Sequence, residues 1–385
     1  MISEKWIDDE LAQLRKKGLE RRISVFEKAG GKIEMAGKTF LNFSSNDYLG
    51  LSHHPEAVSA SRRYLEAYGC GATASRLVTG TLSPYVELEE AIAAFKGYPS
   101  ALVFGSGFLA NAGIIASLVG RNDHIFADKL VHASMIDGAA LSRATLKRFK
   151  HNDPEHLELL LKQSPASGRK LVMTESVFSM DGDVAPLPEI VSVAAAHGAM
   201  IMVDEAHSTG VFGPGGSGVI RRYGLEDRVN VSMGTLSKAL GGYGGFIACS
   251  HALRKLLINR ARAFIYTTGL PPAVIGGAIG ALSVIQREGN PGEELLRRAA
   301  NFRKRLQGAG LDVLDSQSQI IPVLIGENER TLAVAERLKS RGILAAAIRP
   351  PTVPEGTARL RLSLTMDHSE QDLAWAAGEI AGACR

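Results

Sequence analysis

Apolar runs typical of β-strands alternate with helical patterns through the middle of the chain, and this alternation restricts the fold more than any other feature. The strand-like runs occupy residues 101–104, 124–128, 171–175 and 199–204. Helical spacing of apolar residues occurs between them, as over residues 110–118. A near-continuous apolar strand such as 199–204 is typical of a parallel sheet buried on both faces. The sequence therefore predicts an α/β fold with a large, doubly wound and mostly parallel sheet.

The 385 residues are enough for two domains with separate cores. Residues 1–45 contain an amphipathic helix over 5–22 and a short strand, and they form the predicted N-terminal segment. The large α/β domain is predicted over residues 46–287, ending in a helix rich in small residues. Because Asn290-Pro-Gly breaks that helix, residues 288–385 are predicted as a smaller α+β domain with two helices and several short strands.

Charge and cysteine content exclude several classes of function. The net charge is +4 and the basic residues are scattered, so the sequence does not indicate a nucleic-acid-binding protein. Cys70, Cys249 and Cys384 lie far apart, so they predict neither a disulfide framework nor a metal site. The chain has no apolar run of membrane-spanning length and its charged N-terminus does not resemble a signal peptide. We therefore expect a cytoplasmic protein without membrane contact.

A lysine, Lys238, lies in the small-residue segment 234–245 between two predicted strands, 229–233 and 244–250. The glycines in this segment allow close backbone approach or positive φ. A lysine enclosed there would lose its proton more readily, because burial disfavours the ammonium, and Schiff-base chemistry requires the unprotonated amine. Taken alone, such a lysine is more often a solvated loop residue.

Further polar groups follow predicted strands at the same sheet edge. Asp204 and His207 come directly after the buried strand, and the glycine turn 105–108 separates a strand from a helix, an arrangement that binds phosphate. The turn also fits G-x-G-x-x-A with Asp128 about 20 residues on, which keeps a dinucleotide fold open. Asp204 alone could cap a helix. Together with Lys238, the set matches pyridoxal phosphate, whose pyridine nitrogen needs a carboxylate partner.

These motifs resemble the α-oxoamine synthase family of fold-type I pyridoxal-phosphate enzymes, over nearly the whole chain. The segments that carry the resemblance are LNFSSNDYLGLSHHP (41–55), HASMIDGA (132–139), RFKHND (148–153), ESVFSMDGD (175–183), VDEAHSTGVFG (203–213), GTLSKALGG (234–242) and IRPPTVPEGTARLRLSLT (348–365).

The resemblance implies roles for individual residues. Lys238 binds the cofactor and moves the Cα proton, Asp204 pairs with the pyridine nitrogen, His207 with the ring hydroxyl, and His132 stacks on the ring. The other implied cofactor contacts are Gly107, Phe108, Ser179, Thr235 and Thr267. The implied substrate-binding residues are Arg21 (or its neighbour Arg22), Asn46, His132, Thr352 and Arg361. Tyr266 and Thr267 resemble a segment that crosses a homodimer interface.

The resemblance also implies the reaction, an acyl transfer in which an amino acid condenses with an acyl thioester and loses CO2. Residues 42–55 and 349–363 favour the branch that joins L-alanine to pimeloyl-CoA or pimeloyl-acyl carrier protein in biotin biosynthesis. A glycine-using sister enzyme (glycine C-acetyltransferase or 5-aminolevulinate synthase) is the main alternative. An NAD(P)-dependent oxidoreductase leaves Lys238, Asp204 and His207 unexplained, and a non-catalytic binding protein would be expected to lack the lysine.

Overall fold

A computed structural model of the chain describes residues 4–21, 23–27 and 30–385. The helices are α1 (Lys5–Lys16), α2 (Pro55–Tyr68), α3 (Ser83–Lys96), α4 (Gly107–Leu118), α5 (Ala133–Ser142), α6 (Pro154–Lys162), α7 (Leu187–Ala196), α8 (Val219–Arg222), α9 (His251–Arg260), α10 (Arg262–Ile265), α11 (Pro272–Glu288), α12 (Pro291–Gly308), α13 (Asn328–Ser340) and α14 (Glu370–Cys384). The strands are β1 (Lys32–Met35), β2 (Lys38–Asn42), β3 (Ser100–Phe104), β4 (His124–Asp128), β5 (Thr145–Phe149), β6 (Lys170–Glu175), β7 (Met200–Asp204), β8 (Val231–Thr235), β9 (Gly245–Cys249), β10 (Ile320–Gly326), β11 (Ile343–Leu344), β12 (Ala346–Ile348) and β13 (Ala358–Ser363).

A seven-stranded sheet in the order β3-β9-β8-β7-β6-β4-β5 forms the centre of the larger compact unit. Neighbouring strands from β5 to β8 run parallel, whereas β9 is antiparallel to both β8 and β3. The central strands are apolar and buried along their whole length, as strands covered by helices on both faces must be. The predicted doubly wound, mostly parallel α/β fold is confirmed.

The core on one side of this sheet is built by α4 and α5. Their buried side chains, among them Ile114, Ile115 and Met135, pack against strand residues such as Ile125 and Met202. All five have 0% exposed surface. Burying such side chains contributes about 1.5–3 kcal/mol each relative to leaving them exposed. The packed helices fix the positions of their own first turns at the sheet edge where the strands end.

The chain divides into two compact units. The larger unit comprises residues 46–179 and 183–296. The smaller one comprises the described residues up to Ser45, together with 180–182 and 297–385. Within the smaller unit, β2 pairs with β1 and with β11, and β13 lies between β10 and β12. The N-terminal segment therefore shares a sheet with the C-terminal residues, and the predicted boundary after residue 287 stays a prediction.

Several element boundaries differ from those predicted from the sequence. Helix α1 ends at Lys16 rather than at residue 22, because Gly18 adopts a positive φ of 63° that a helix cannot continue through. Helix α4 begins at Gly107, three residues earlier than predicted. Three helices, α12 to α14, follow residue 288 instead of two. No helix in the described ranges combines the length and apolarity needed to cross a membrane.

The prediction did not include β1, β5, α6 or α8. Strand β5 lies at the edge of the large sheet and is only partly buried, with the sequence TLKRF. A strand with two charged residues and little apolar alternation lacks the usual pattern of a buried strand. Its pairing with β4 is therefore set by tertiary context rather than by local sequence.

A fully buried ion pair lies beneath the turn that follows β7. Lys96, the last residue of α3, donates from Nζ to Glu205 Oε2 at 2.6 Å and to the Ser217 carbonyl at 2.5 Å. Glu205 also accepts from Ser232 Oγ and the Ile220 amide, each at 3.0 Å. Both charged side chains have 0% exposed surface. Both charges are surrounded by hydrogen-bond partners. Removing either charged side chain would therefore leave the other buried without a counter-charge.

A second cluster of buried charges joins the ends of β4 and the segment after β6. His151 lies between two carboxylates, with Nδ1 3.0 Å from Asp128 Oδ1 and Nε2 2.8 Å from Asp183 Oδ2. Its ring stands edge-on to Phe178. Burial lowers the pKa of His151, but the hydrogen bonds and charges of Asp128 and Asp183 outweigh it and raise the pKa to about 10. The His151 imidazolium therefore connects the end of β4 to the segment after β6.

We expect Lys96→Met to destabilise the protein by about 3–5 kcal/mol, because it leaves the Glu205 carboxylate buried without a cation. Urea unfolding followed by circular dichroism measures the loss. Lys162→Met is the matched control, since Lys162 forms an exposed ion pair with Glu158 one turn away. It should leave the unfolding midpoint almost unchanged. Equal effects of the two substitutions would contradict the importance of the buried pair.

We expect the contribution of His151 to stability to depend on pH. Its pKa in the folded protein lies above the ordinary value of 6.5, so the contribution is complete below about pH 6.5 and is lost as the pH rises through about 10. The difference in unfolding free energy between wild type and His151→Gln should shrink over that range. Exposed His251 provides the control, because His251→Gln should give a difference that does not change with pH. A His151 difference that stays constant between pH 6 and 10 would refute this expectation.

Candidate cofactor site

A cavity of about 210 Å³ opens in the larger unit, where β6, β7 and β8 end and α4 begins. This is the sheet edge at which open α/β folds bind their ligands. The lining residues are Ser106, Gly107, Phe108, Asn111, His132, Ser134, Glu175, Asp204, Ala206, His207, Met233, Thr235, Ser237 and Lys238.

The first turn of α4 forms one end of the cavity. Ser106 is the N-cap, and its Oγ accepts the Leu109 amide at 3.2 Å. Gly107 and Phe108 follow as the first two helical residues, so their amides have no partner within the helix. A Cβ at position 107 would lie 2.7 Å from Thr235 Cγ2, so only glycine fits there. The helix dipole and these amides together favour an anion such as phosphate.

Asp204, the last residue of β7, is 5% exposed and is held by two donors. Asn111 Nδ2 donates to Oδ2 at 2.8 Å, and the Ala206 amide donates to Oδ1 at 2.8 Å. Asp204 therefore lies in the cavity as a fixed acceptor for a protonated ring nitrogen.

Two histidines of the cavity are oriented by neighbouring side chains. His207 Nδ1 lies 2.6 Å from the Tyr48 hydroxyl, and His207 is 7% exposed. His132 is the N-cap of α5, and its Nδ1 faces both the hydroxyl and the amide of Ser134. Both rings therefore have fixed orientations before any ligand binds.

A buried carboxyl group that the sequence analysis did not predict as a site residue, Glu175, also lines the cavity. It ends β6 and lies opposite Asp204 in the parallel ladder. Burial, and next the neighbouring Asp204 charge, raise the pKa of Glu175 well above its usual range, although the His132 amide and the Lys238 charge act against this. Its Oε1 is buried and has no hydrogen-bond partner in the structure. The cavity thus contains two carboxyl groups with different surroundings, since Asp204 accepts two hydrogen bonds whereas Glu175 Oε1 accepts none.

Lys238 lies in the turn between β8 and β9 and is half-buried. The turn is closed by backbone hydrogen bonds from Leu236 to the Gly244 carbonyl at 3.0 Å and from Gly241 to the Lys238 carbonyl at 2.9 Å. Gly241 has a φ of 62°, and a Cβ there would lie 2.2 Å from the Ser52 amide. The turn therefore requires glycine and presents the lysine amine to the cavity wall.

These residues fit pyridoxal phosphate. The α4 terminus suits its phosphate, Asp204 its pyridine nitrogen and Lys238 its aldehyde carbon. Thr235 Oγ1 is buried without a hydrogen-bond partner, so a bound ligand could satisfy it. Within the part of the chain that the structure describes, no group of three or more potential ligands could hold a metal ion.

Asp128, the acidic residue of the alternative dinucleotide site, is engaged in other contacts. Asp128 accepts the Leu130 amide and contacts His151 through Oδ1, and it accepts the Asn152 amide through Oδ2. Both of its oxygens are therefore engaged within the chain, and Asp128 does not line the cavity. A ribose hydroxyl would have to displace these contacts, which argues against a dinucleotide.

The structure brings together seven of the predicted site residues along the cavity, namely Gly107, Phe108, His132, Asp204, His207, Thr235 and Lys238. In the same unit but outside the lining lie half-buried Ser179 and Thr267, and Asn46, whose Oδ1 accepts the Tyr48 hydroxyl at 3.2 Å. The smaller unit contains Arg21, Thr352 and Arg361. Arg361 is 6% exposed and donates to Ser363 Oγ at 2.8 Å. Arg22 lies outside the described residues, and the roles of all these residues stay predictions.

The sequence analysis assigned no role to Asn111, Ser134 and Glu175, which are among the polar residues that line the cavity. A signal for Asn111 was available, since it is the single amide in the otherwise apolar helix α4. Glu175 ends a buried strand, as Asp204 does, so the same reasoning about strand ends would have found it. Ser134 carries no comparable signal, because serine is common in the first turn of a helix.

Comparison with known proteins identifies the family of the chain. The family model for aminotransferases of class I and II matches residues 38–380. An 8-amino-7-oxononanoate synthase of Geobacter sulfurreducens is 47% identical over 378 residues, covering 97% of each chain. Among solved structures, a serine palmitoyltransferase of S. paucimobilis with bound PLP–myriocin aldimine has a TM-score of 0.92 at 33% identity, covering 98% of this chain and 96% of that chain. An 8-amino-7-oxononanoate synthase of Francisella tularensis has a TM-score of 0.77 at 30% identity, covering 89% and 97%.

The family match spans most of the chain, and the curated relative covers nearly all of it. The fold is therefore that of the fold-type I enzymes. The chain belongs to the aminotransferase class I and II family of pyridoxal-phosphate-dependent enzymes.

Proposed function

We propose that this protein is an 8-amino-7-oxononanoate synthase of biotin biosynthesis. In the reaction, the Cα of L-alanine forms a bond to the carbonyl carbon of a pimeloyl thioester, and the carbon–sulfur bond breaks to release the thiol. The alanine carboxylate leaves as CO2, and a proton returns to Cα to give 8-amino-7-oxononanoate. One observation carries the proposal: Lys238, Asp204 and His207 line one cavity at the α4 terminus in a chain that is 47% identical to a curated synthase of this name.

We assign the cofactor contacts on chemical grounds. The amides of Gly107 and Phe108 hold the phosphate, Asp204 holds the pyridine nitrogen, and His207 holds the ring hydroxyl. Lys238 provides the amine for covalent attachment. When bound, pyridoxal phosphate supplies an electron sink for negative charge that develops at the substrate Cα.

The residues of the chain supply the proton transfers and the orientation. Lys238 Nζ takes the Cα proton of alanine and returns a proton after decarboxylation, because its flexible stem reaches both the cofactor and the substrate. Asp204 would pair with the pyridine nitrogen of the bound cofactor.

The substrate carboxylates require cations, and the smaller unit contains the predicted candidates Arg21 and Arg361, with Thr352. Arg361 is a strong candidate because guanidinium binds carboxylate in a bidentate manner. Asn46 is the predicted substrate contact in the larger unit. The acyl group is carried on coenzyme A or on an acyl carrier protein, and both fit the proposal.

We also propose a homodimer with the active site at its interface, in the cytoplasm. Large apolar side chains are exposed at Val78 (74%), Tyr266 (71%) and Tyr243 (56%), and we propose that the dimer contact covers them. Tyr266 directly precedes Thr267, one of the predicted cofactor contacts. The three cysteines are all unpaired, which suits a reducing compartment.

We expect the visible spectrum of the holoenzyme to respond to L-alanine at a lower concentration than to glycine. The reason is that the proposed substrate displaces Lys238 and changes the absorption of the bound cofactor. Titration with each amino acid measures the two dissociation constants, and D-alanine serves as the stereochemical control. Preference for glycine would move the function to a sister enzyme while keeping the cofactor. The absence of any cofactor band would overturn the site itself.

We expect Lys238→Ala to lower turnover by roughly 10²–10⁴-fold or more, since both the covalent link and the proton transfer are lost. The covalent absorption band should disappear while the protein remains folded. Lys255→Ala is the matched control, because Lys255 is exposed on α9 outside the cavity. The measurement is product formation from L-alanine and pimeloyl-CoA. Turnover near the wild-type rate in Lys238→Ala would disprove the assignment.

A further inference from the structure

A chain of hydrogen bonds connects Asp204 to His132 across the base of the cavity. Asn111 Nδ2 lies 2.8 Å from Asp204 Oδ2 and 2.9 Å from Ser134 Oγ. Ser134 Oγ in turn lies 2.8 Å from His132 Nδ1, and the Ser134 amide lies 3.2 Å from the same nitrogen. Asn111 is 1% exposed and Ser134 0%. The four residues therefore form one network, buried at Asp204, Asn111 and Ser134 and exposed at His132, whose two ends line the cofactor cavity.

The chemistry of each group sets the direction of the network. The two hydrogens of the Asn111 amide nitrogen point to Asp204 and to Ser134. A flipped amide would place its oxygen against the Asp204 carboxylate, acceptor against acceptor, which the carboxylate charge disfavours. Because Ser134 Oγ accepts from Asn111, its own hydrogen is left for His132 Nδ1.

His132 Nδ1 thus receives two donors, the hydroxyl and the amide of Ser134. Both contacts favour an unprotonated Nδ1, and the hydroxyl contact, at 2.8 Å against 3.2 Å for the amide, is the shorter of the two. The ring hydrogen must then lie on Nε2. The carboxyl group nearest to the His132 backbone, Glu175, accepts the His132 amide rather than a ring nitrogen, so no carboxylate competes at Nδ1.

We propose that Asn111 and Ser134 are positioning residues that use the charge of Asp204 to hold His132 as the Nε2–H tautomer. Nε2 is then the ring nitrogen that can donate a hydrogen bond to the bound cofactor or substrate. This inference rests on the cofactor site of the proposed function, but it does not depend on which amino acid the enzyme uses. The network also connects Asp204, the proposed partner of the pyridine nitrogen, to His132, which is predicted to stack on the cofactor ring.

Nitrogen NMR of the holoenzyme labelled with ¹⁵N-histidine tests the tautomer directly, without turnover. The chain has 10 histidines, and the variant His132→Asn identifies the His132 signals. We expect Nδ1 of His132 to resonate as an unprotonated nitrogen and Nε2 as a protonated one. The opposite assignment, or a ring protonated on both nitrogens, would overturn the inference. A failure of the alanine titration would leave this measurement unaffected, so the two proposals can fail separately.

Variants of Ser134 and Asn111 test the hydrogen-bond network. In Ser134→Ala and Asn111→Ala, the two His132 nitrogen signals should move toward a tautomer average, and turnover should fall by roughly two- to tenfold, the effect of one hydrogen bond. Ser142→Ala is the matched control: it removes a buried hydroxyl from the same helix, bonded to the Ala139 carbonyl and outside the network. Its His132 signals should match wild type. His132 signals unchanged in Ser134→Ala would show that the hydroxyl does not set the tautomer.

Discussion

The buried ion pair between Lys96 and Glu205 supports the arrangement of the active site. Glu205 directly follows Asp204, so the position of its side chain fixes the backbone that presents Asp204 and His207 to the cavity. Its carboxylate is held by donors from three parts of the chain, α3, α8 and β8. A carboxylate with so many fixed partners cannot move without exposing several of them, and the turn after β7 is correspondingly rigid.

Three carboxyl groups at the ends of nearby strands have different hydrogen-bond partners. Asp128 at the end of β4 binds the His151 imidazolium, and Asp204 at the end of β7 accepts two neutral donors. Glu175 at the end of β6 lies between them without a cationic hydrogen-bond partner, and its pKa is raised by burial. One sheet edge therefore offers a carboxyl group paired with a histidine, one with a raised pKa and one held by two neutral donors.

The sequence predicted those parts of the structure that depend on local patterns. The apolar run before Asp204 and the glycine-rich segment around Lys238 identified both a parallel sheet and a cofactor site. Edge strand β5 escaped prediction because its charged sequence is stabilised by pairing with β4 rather than by burial. The end of α1 was misplaced because Gly18 outweighs the amphipathic spacing that continues beyond it. Asn111 and Glu175 carried signals that the sequence analysis did not use, whereas Ser134 could not be assigned from the sequence because its role arises from its contacts with Asn111 and His132.

The single reversed strand of the large sheet, β9, has a consequence for the evolution of the enzyme. Since β9 pairs with β8, the loop that carries Lys238 returns directly into the neighbouring strand and is anchored at both ends by the same ladder. Gly241 of this loop packs against the backbone of Ser52. The length of the loop therefore cannot change without breaking that contact. Insertions and deletions should therefore be excluded from this loop. Insertions and deletions are tolerated more easily in exposed connections such as residues 163–169. These residues lead into the start of β6, at the end of the sheet away from the cavity.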